Sequence, residues 1–237
     1  MIRSLDRSDE PLFALVFDTA RFDTAKKFSR TSMRIVLAST NSGKLAEIRR
    51  RLSTLGDEAP ILSGEDPFAG NPPPEDAPTF VENALIKARA ACANTGLPAI
   101  ADDSGIAVDA LGGRPGIRSA RYAGEHASDR ENIAHLLDEL RGVALPERTA
   151  TFICVIVFML DENDPCPLIC EGRWAGRILE APEGRSGFGY DPIFFDDAIG
   201  MSAAELSPER KNAVSHRGQA LDRLIRHLEA IRGSSAS

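Results

Sequence analysis

Two adjacent carboxylates, Asp102 and Asp103, follow directly on the apolar run Leu97 to Ala101 and precede Ser104 and Gly105. The run reads as a buried strand, Gly105 as the point where it breaks, and Ile106 to Ala110 as a second short strand. A strand end of this kind delivers charged side chains to the edge of a pocket. There a carboxylate pair must meet cations or bear a heavy desolvation cost. A plain turn is the competing reading, because Asp, Ser and Gly are ordinary turn formers. The rest of the chain has to supply either the cations or the turn.

Bulk charge does not supply them. The net charge of −7 over 237 residues gives no general attraction to nucleic acid or to an anionic membrane, so an anionic ligand needs a local basic cluster. The length suffices for one substantial core, whole or split into two lobes. The longest apolar run, Phe152 to Leu160, is too short to span a bilayer and reads as a buried strand. Cys92, Cys154, Cys166 and Cys170 lack metal-ligand spacing, and a reduced cytoplasmic protein is the economical inference. In the first 32 residues Asp6, Asp9 and Glu10 precede the weak apolar segment Pro11 to Phe17, which argues against a signal or transit peptide. Met33 stands directly before the first convincing strand. Residues 1–32 are therefore expected to be a dispensable extension reflecting an upstream start-site assignment, and residues 33–237 the functional domain.

The local basic clusters lie at both ends of that domain. Ile35 to Ala38 reads as a buried strand, and Leu45, Ile48, Leu52 and Leu55 recur at helical spacing until Gly56. Between them lies Ser39-Thr40-Asn41-Ser42-Gly43-Lys44. A helix N-terminus here offers unpaired N–H groups and the positive dipole end to an anion, and Lys44 in the first turn opposes the dipole unless an anion is present. It is not a Walker A loop, since Ala38 and Leu45 stand where that motif needs Gly and Ser or Thr. A capped helix start with a solvated lysine is the alternative. Near the other end, Lys211, His216 and Arg217 gather within seven positions, and Ser215 caps a helix with the stripe Leu221, Leu224, Ile225, Leu228 and Ile231. They form either an exposed basic corner or a second anion site.

Between these clusters, residues 57–78 read as a Pro-, Gly- and acid-rich loop in which Glu75 is the carboxylate of note. Thr79 to Glu82 and Ser128 to Glu131 read as capping boxes that open helices. Cys92 falls on the apolar stripe of the first helix and His135 on the outer face of the second. Thr149 to Leu160 and Leu168 to Trp174 predict an antiparallel hairpin, with Trp174 an amphipathic strand residue. Gly187-Phe188-Gly189-Tyr190-Asp191 brings aromatic faces and backbone amides near a flat ligand, or plugs a sheet. Ser202 to Glu205 reads as a short helix start.

Six pieces resemble, in order, the inosine/xanthosine triphosphate pyrophosphatase family, which acts on noncanonical purine nucleoside triphosphates. They are Ser39–Lys44, Thr79–Ala84, Ala101–Gly105, Gly116–Tyr122, Gly187–Phe194 and Ser215–Gln219, and the resemblance runs from Met33 to about Arg232. It implies an α/β fold, an elongated mixed twisted sheet flanked by helices in two lobes with a substrate cleft between them. The implied reaction converts dITP, ITP or XTP to the monophosphate and pyrophosphate, with Mg²⁺ as cofactor, in a homodimer. The family pattern makes Asp103 the acid that activates water and holds Mg²⁺, with Glu75 as the second metal-side carboxylate. The residue before Glu75, acidic in the family, is Pro74, and Thr40 replaces a usual glycine. Substrate contacts carried over are Ser39, Thr40, Asn41, Ser42, Gly43 and Lys44 for the triphosphate, then Ser104, Phe188, Gly189, Tyr190, Asp191, Lys211, His216 and Arg217 around base and phosphates. Lys44 and Lys211 are expected to offset charge on the leaving pyrophosphate, and Asp102 to support the metal cluster or a water. A relative with altered base choice, acting on modified pyrimidines, and a non-catalytic nucleotide-binding module are the alternatives.

Overall fold

Residues 33–56 and 59–234 are described by a computed structural model, and the expectation for residues 1–32 lies outside them. Seven strands form one open mixed sheet in the order β2-β1-β3-β4-β5-β6-β7. These are β1 (Arg34–Ala38), β2 (Ile61–Leu62), β3 (Ala99–Val108), β4 (Thr149–Met159), β5 (Leu168–Ile178), β6 (Phe194–Asp196) and β7 (Met201–Ser202). β1 runs parallel to β2 and β3, and every later pair is antiparallel. The helices are α1 (Ser42–Ser53), α2 (Phe80–Thr95), α3 (Asp129–Glu139), α4 (Pro208–Val214) and α5 (His216–Ser234).

Periodicity explains how the layers close. The α1 and α5 stripes, with Ile48, Leu52, Leu221 and Leu224, cover one face of β1, β3 and β4 through Ile35 and Ile100. The small residues of α2, Ala84, Ala88 and Ala91, let that helix lie close on the opposite face against Val36, Ala101 and Val157. A third cluster around Phe152, Trp174, Phe194 and Leu136 packs the other end of the sheet with α3. Each buried Leu, Ile or Phe contributes roughly 1.5–3 kcal/mol relative to exposure.

Local expectations are corrected at Gly105 and at Ser202. Gly105 does not end a strand: β3 runs unbroken from Ala99 to Val108, paired along its whole length with β4. Sheet pairing overrides glycine's weak strand preference. The glycine is needed for a close approach instead, because a Cβ at Gly105 would lie 2.3 Å from the Gly116 carbonyl oxygen and 2.5 Å from Ser119 Oγ. Ser202 to Glu205 opens no helix. Ser202 belongs to β7, Glu205 Oε2 accepts the Ser202 N–H, and the Ala203 N–H bonds to the Phe194 carbonyl, so the Ser-x-x-Glu spacing closes a turn at the sheet edge. The helix starts at Pro208, capped by Ser207. Trp174 is buried, its Nε1–H donating to Asp196 Oδ2 at 2.6 Å and its ring stacked with Phe152. The predicted hairpin is present, its second strand reaching Ile178. The Ser128 capping box is complete, whereas at α2 Thr79 caps the Glu82 N–H and gives its own hydroxyl to the Glu82 carboxylate.

Candidate active site

β3 carries the two carboxylates, and its pleat divides them. Successive strand residues point to opposite faces. Asp102, in phase with Ile100, faces α1 and α5; Asp103, in phase with Ala101, faces α2. Adjacent in sequence, they enter different networks.

Asp102 is 1% exposed and meets three cationic contacts at Oδ2: Lys44 Nζ at 3.2 Å, Arg217 Nη2 at 3.2 Å and Arg217 Nε at 3.3 Å. Burial alone would raise its pKa, but the charges of Lys44, Arg217 and Lys87 outweigh burial and hold the carboxyl well below the usual range. Arg217, 2% exposed, also donates to Glu47 and to Ser104 Oγ at 2.9 Å. Glu47 in turn holds Lys211 Nζ at 2.8 Å, and Lys211 reaches Asp191 Oδ2 at 2.5 Å. The result is an alternating buried chain, Lys44, Asp102, Arg217, Glu47, Lys211, Asp191. It ties α1, β3, α4, α5 and the Gly-aromatic loop to one another, and its charges sum to zero. Burial raises the Glu47 pKa, but Arg217 and Lys211 reverse the sign; for Asp191 burial prevails over Lys211 and the carboxyl is shifted up.

Asp103 stands in a different setting. Its Oδ2 accepts from Asn83 Nδ2 at 3.0 Å, and Oδ1 lies 3.0 Å from the Ser104 N–H and 3.6 Å from Lys87 Nζ. Burial raises its pKa and the charge of Glu75 adds to this, with Lys87 and Lys44 offsetting only part. Lys87 Nζ is also 3.2 Å from Glu75 Oε2, so one buried ammonium sits between the two carboxylates named as metal-side residues. Burial disfavours that ammonium, yet Asp102, Asp103 and Glu75 together raise its pKa. Among the described residues no three carboxylate, His or Cys side chains converge as a metal cluster. Two carboxylates are nevertheless the ordinary protein share of a Mg²⁺ site, which is completed by water and phosphate oxygens. The hard-oxygen donor set, already matched to a cation, fits that ion.

At the N-terminus of α1, Asn41 Oδ1 accepts the Lys44 N–H at 3.0 Å and Ser39 Oγ accepts the Asn41 N–H at 3.2 Å. Phe188 packs directly on this turn, since a Cβ at Gly43 would lie 2.6 Å from its ring. The same ring carries Lys211 Nζ 4.7 Å from its centroid. Two cavities adjoin it. One of about 120 Å³ is lined by Lys44, Glu75, Asp103, Ser104, His216 and Arg217 among others, and one of about 540 Å³ by Thr40 to Gly43, Glu47, Lys211 and the loop from Ser186. Phe188, Asn41, Asp129 and Lys211 line both.

Tyr190 is buried, its hydroxyl donating to the Ser119 carbonyl at 2.8 Å, and it lines the smaller cavity beside Phe188. Gly189 offers its N–H to Asp129 Oδ2 at 2.6 Å, and Asp191 accepts from the Phe188 N–H at 2.8 Å. His216 and Arg217 form no exposed corner. The His216 ring stacks on Phe152 at 4.6 Å; burial, reinforced by Arg217 and Lys211, keeps the imidazole neutral, and Nδ1 has no hydrogen-bond partner among the described residues. Lys211 is matched by two carboxylates, Glu47 and Asp191, and Lys44 by Asp102.

Sequence reasoning missed Glu47, Asn83 and Lys87. Asn83 and Lys87 did carry a signal, lying with Ala84, Ala88 and Ala91 at helical spacing on the buried face of α2. Glu47 is next to Ile48 at the margin of its stripe and carried none.

The Ham1 family model matches residues 35–227. A dITP/XTP pyrophosphatase of Vibrio parahaemolyticus is 53% identical over 197 residues, covering 83% of this chain and 97% of that protein. One of Halorhodospira halophila is 52% identical over 198 residues, covering 84% and 98%. Among solved structures, a HAM1 protein from Coxiella burnetii superposes with a TM-score of 0.74 at 48% identity, covering 84% of this chain and 99% of that one. The Staphylococcus aureus Ham1 protein gives 0.71 at 38% identity, covering 83% and 98%.

Proposed function

This chain belongs to the Ham1 family, and on that premise we propose that it hydrolyses noncanonical purine nucleoside triphosphates, dITP, ITP and XTP, to the monophosphate and pyrophosphate. One observation carries the reading: Asp103, Glu75, Lys44 and Phe188 line a single cavity, joining a carboxylate pair, a cation beside a helix N-terminus, and an aromatic wall.

The triphosphate lies against the free N–H groups of the first turn of α1, with Lys44 Nζ offsetting its charge. Asp103 and Glu75 would hold Mg²⁺, which when bound neutralises phosphate charge and lowers the pKa of a water. Asp103 accepts the proton of the attacking water. A P–O bond between the α- and β-phosphates breaks as the water oxygen bonds to phosphorus, and the leaving charge stays with pyrophosphate beside Lys44. Asp102, whose Oδ2 meets both Lys44 and Arg217, orients those cations.

Discrimination against adenine follows from an unused donor. A lysine ammonium has three N–H bonds, and two of those at Lys211 go to Glu47 and Asp191, leaving one beside the Phe188 ring for a purine O6 acceptor. Adenine presents an amino donor there and is rejected. Stacking on Phe188 adds on the order of 1–3 kcal/mol. The reading also takes the protein as a cytoplasmic homodimer, the first supported by its four free cysteines and the second by the resemblance.

Pyrophosphate release from dITP and XTP is expected to need Mg²⁺ and to exceed release from dATP and dGTP; no release from dITP or XTP with Mg²⁺ overturns the reading. A chain begun at Met33 is expected to keep both its fold and this activity, since the family match begins at residue 35. Loss of either shows that residues 1–32 are needed.

A further inference from the structure

We propose that Asn83 is a positioning residue that sets the separation of the two metal-side carboxylates by clamping the loop that carries Glu75 to the strand that carries Asp103. This rests on the pyrophosphatase reading. Glu75 lies in an irregular loop with its side chain 45% exposed, whereas Asp103 is fixed in the middle of β3. Nothing in the loop's own backbone ladder locks one to the other. Asn83, 1% exposed on α2, reaches both. Its Oδ1 accepts the N–H of Ala77, two residues beyond Glu75, at 3.0 Å, and its Nδ2 donates to Asp103 Oδ2 at 3.0 Å.

The chemistry selects an amide at this place. The loop end needs an acceptor and the strand end a donor, so aspartate would set like charges against each other and leucine would serve neither partner. The same demand fixes the orientation of the amide, because the flipped form would set NH₂ against N–H and a carbonyl against a carboxylate. The α2 N-terminus holds Asn83 rigidly, with the Asn83 N–H on the Thr79 carbonyl at 3.2 Å. Arg121 adds a second tether from outside by donating to the Glu75 carbonyl. A loop carboxylate held from two sides is preorganised for a cation, which a loose one is not.

The test uses two variants of the full chain. Asn83→Leu removes both halves of the clamp at similar volume. Ala77→Pro removes the loop N–H and leaves Asn83 itself in place, at a half-buried loop residue outside the core, so it keeps the test open if Asn83→Leu fails to fold. Binding of Mn²⁺ alone, read by electron paramagnetic resonance, and the Mg²⁺ concentration for half-maximal pyrophosphate release are measured with the thermal midpoint. In both folded variants the two metal readouts are expected to weaken by about 10- to 100-fold. A merely structural amide would lower the thermal midpoint and leave metal binding unchanged. Metal binding within about twofold of the parent in Ala77→Pro overturns the clamp while the pyrophosphatase reading stands. A parent that neither binds Mn²⁺ nor releases pyrophosphate overturns the reading and the clamp together.

Discussion

Asp103→Asn is expected to lower pyrophosphate release from dITP by about 10²- to 10⁴-fold, the usual contribution of a positioned general base, while leaving the fold intact. The substitution keeps shape and volume. It removes the proton acceptor and one of the two carboxylates that face Lys87. The fold survives because burial already works against the charge at Asp103, so a neutral amide sheds a desolvation cost. It also keeps an acceptor for Asn83 Nδ2, and Lys87 retains Glu75. Steady-state release at saturating dITP and a thermal unfolding scan check both halves. Near-normal turnover would remove Asp103 from the role of base.

Arg217→Ala is expected to act in the opposite sense, on stability first. The guanidinium spends four of its five N–H bonds inside the protein, on Asp102, Glu47 and Ser104. Truncation leaves Glu47 with Lys211 alone and Asp102 with Lys44 alone, both buried. Stranding part of a buried ion network costs about 3–5 kcal/mol. For a chain of this size that corresponds to a fall of roughly 6–20 °C in the unfolding midpoint. Adding Asp102→Asn to Arg217→Ala is expected to recover part of the loss, because the partner left unpaired is gone; strict additivity of the two single effects would show that they are not coupled. The pH dependence has a definite sign. In the parent, Asp102 and Glu47 titrate below their unfolded values, so their stabilisation is present above about pH 4 and is lost as the pH falls through their folded values. Without Arg217 that acid-dependent loss is smaller. A denaturation series from neutral to acid pH compares the two slopes.

The chain of charges containing Arg217 also marks where sequence reading reached its limit. Lys44, Asp102, Lys211, Asp191 and Arg217 were all visible as residues of interest, each beside a turn, a helix start or an apolar run. Their mutual pairing was not. Lys44 and Arg217 are 173 positions apart and meet on one carboxylate oxygen, a contact that no local period encodes. Tyr190 shows the same limit: Gly-Phe-Gly-Tyr presents two aromatics to a reader of the sequence, and only packing sets Phe188 against both cavities and ties the Tyr190 hydroxyl to Ser119 at the edge of the smaller one. Gly105 was misread because strand propensity is a local preference, whereas its place in β3 was decided by pairing to β4 and by the segment Gly116–Arg121 pressing against it.

The sequence by itself determined the helices whose stripes and caps are local, the long hairpin, and the set of motifs whose order marks the family, because each depends on residues a few positions apart. The tertiary structure decided what the Asp102-Asp103 pair does. A pleated strand sends neighbours to opposite faces, and which partners wait on each face is set by elements remote in sequence. For Asp102 these are Lys44 and Arg217, which hold it charged; for Asp103 they are Asn83 and Lys87, under burial that raises its pKa.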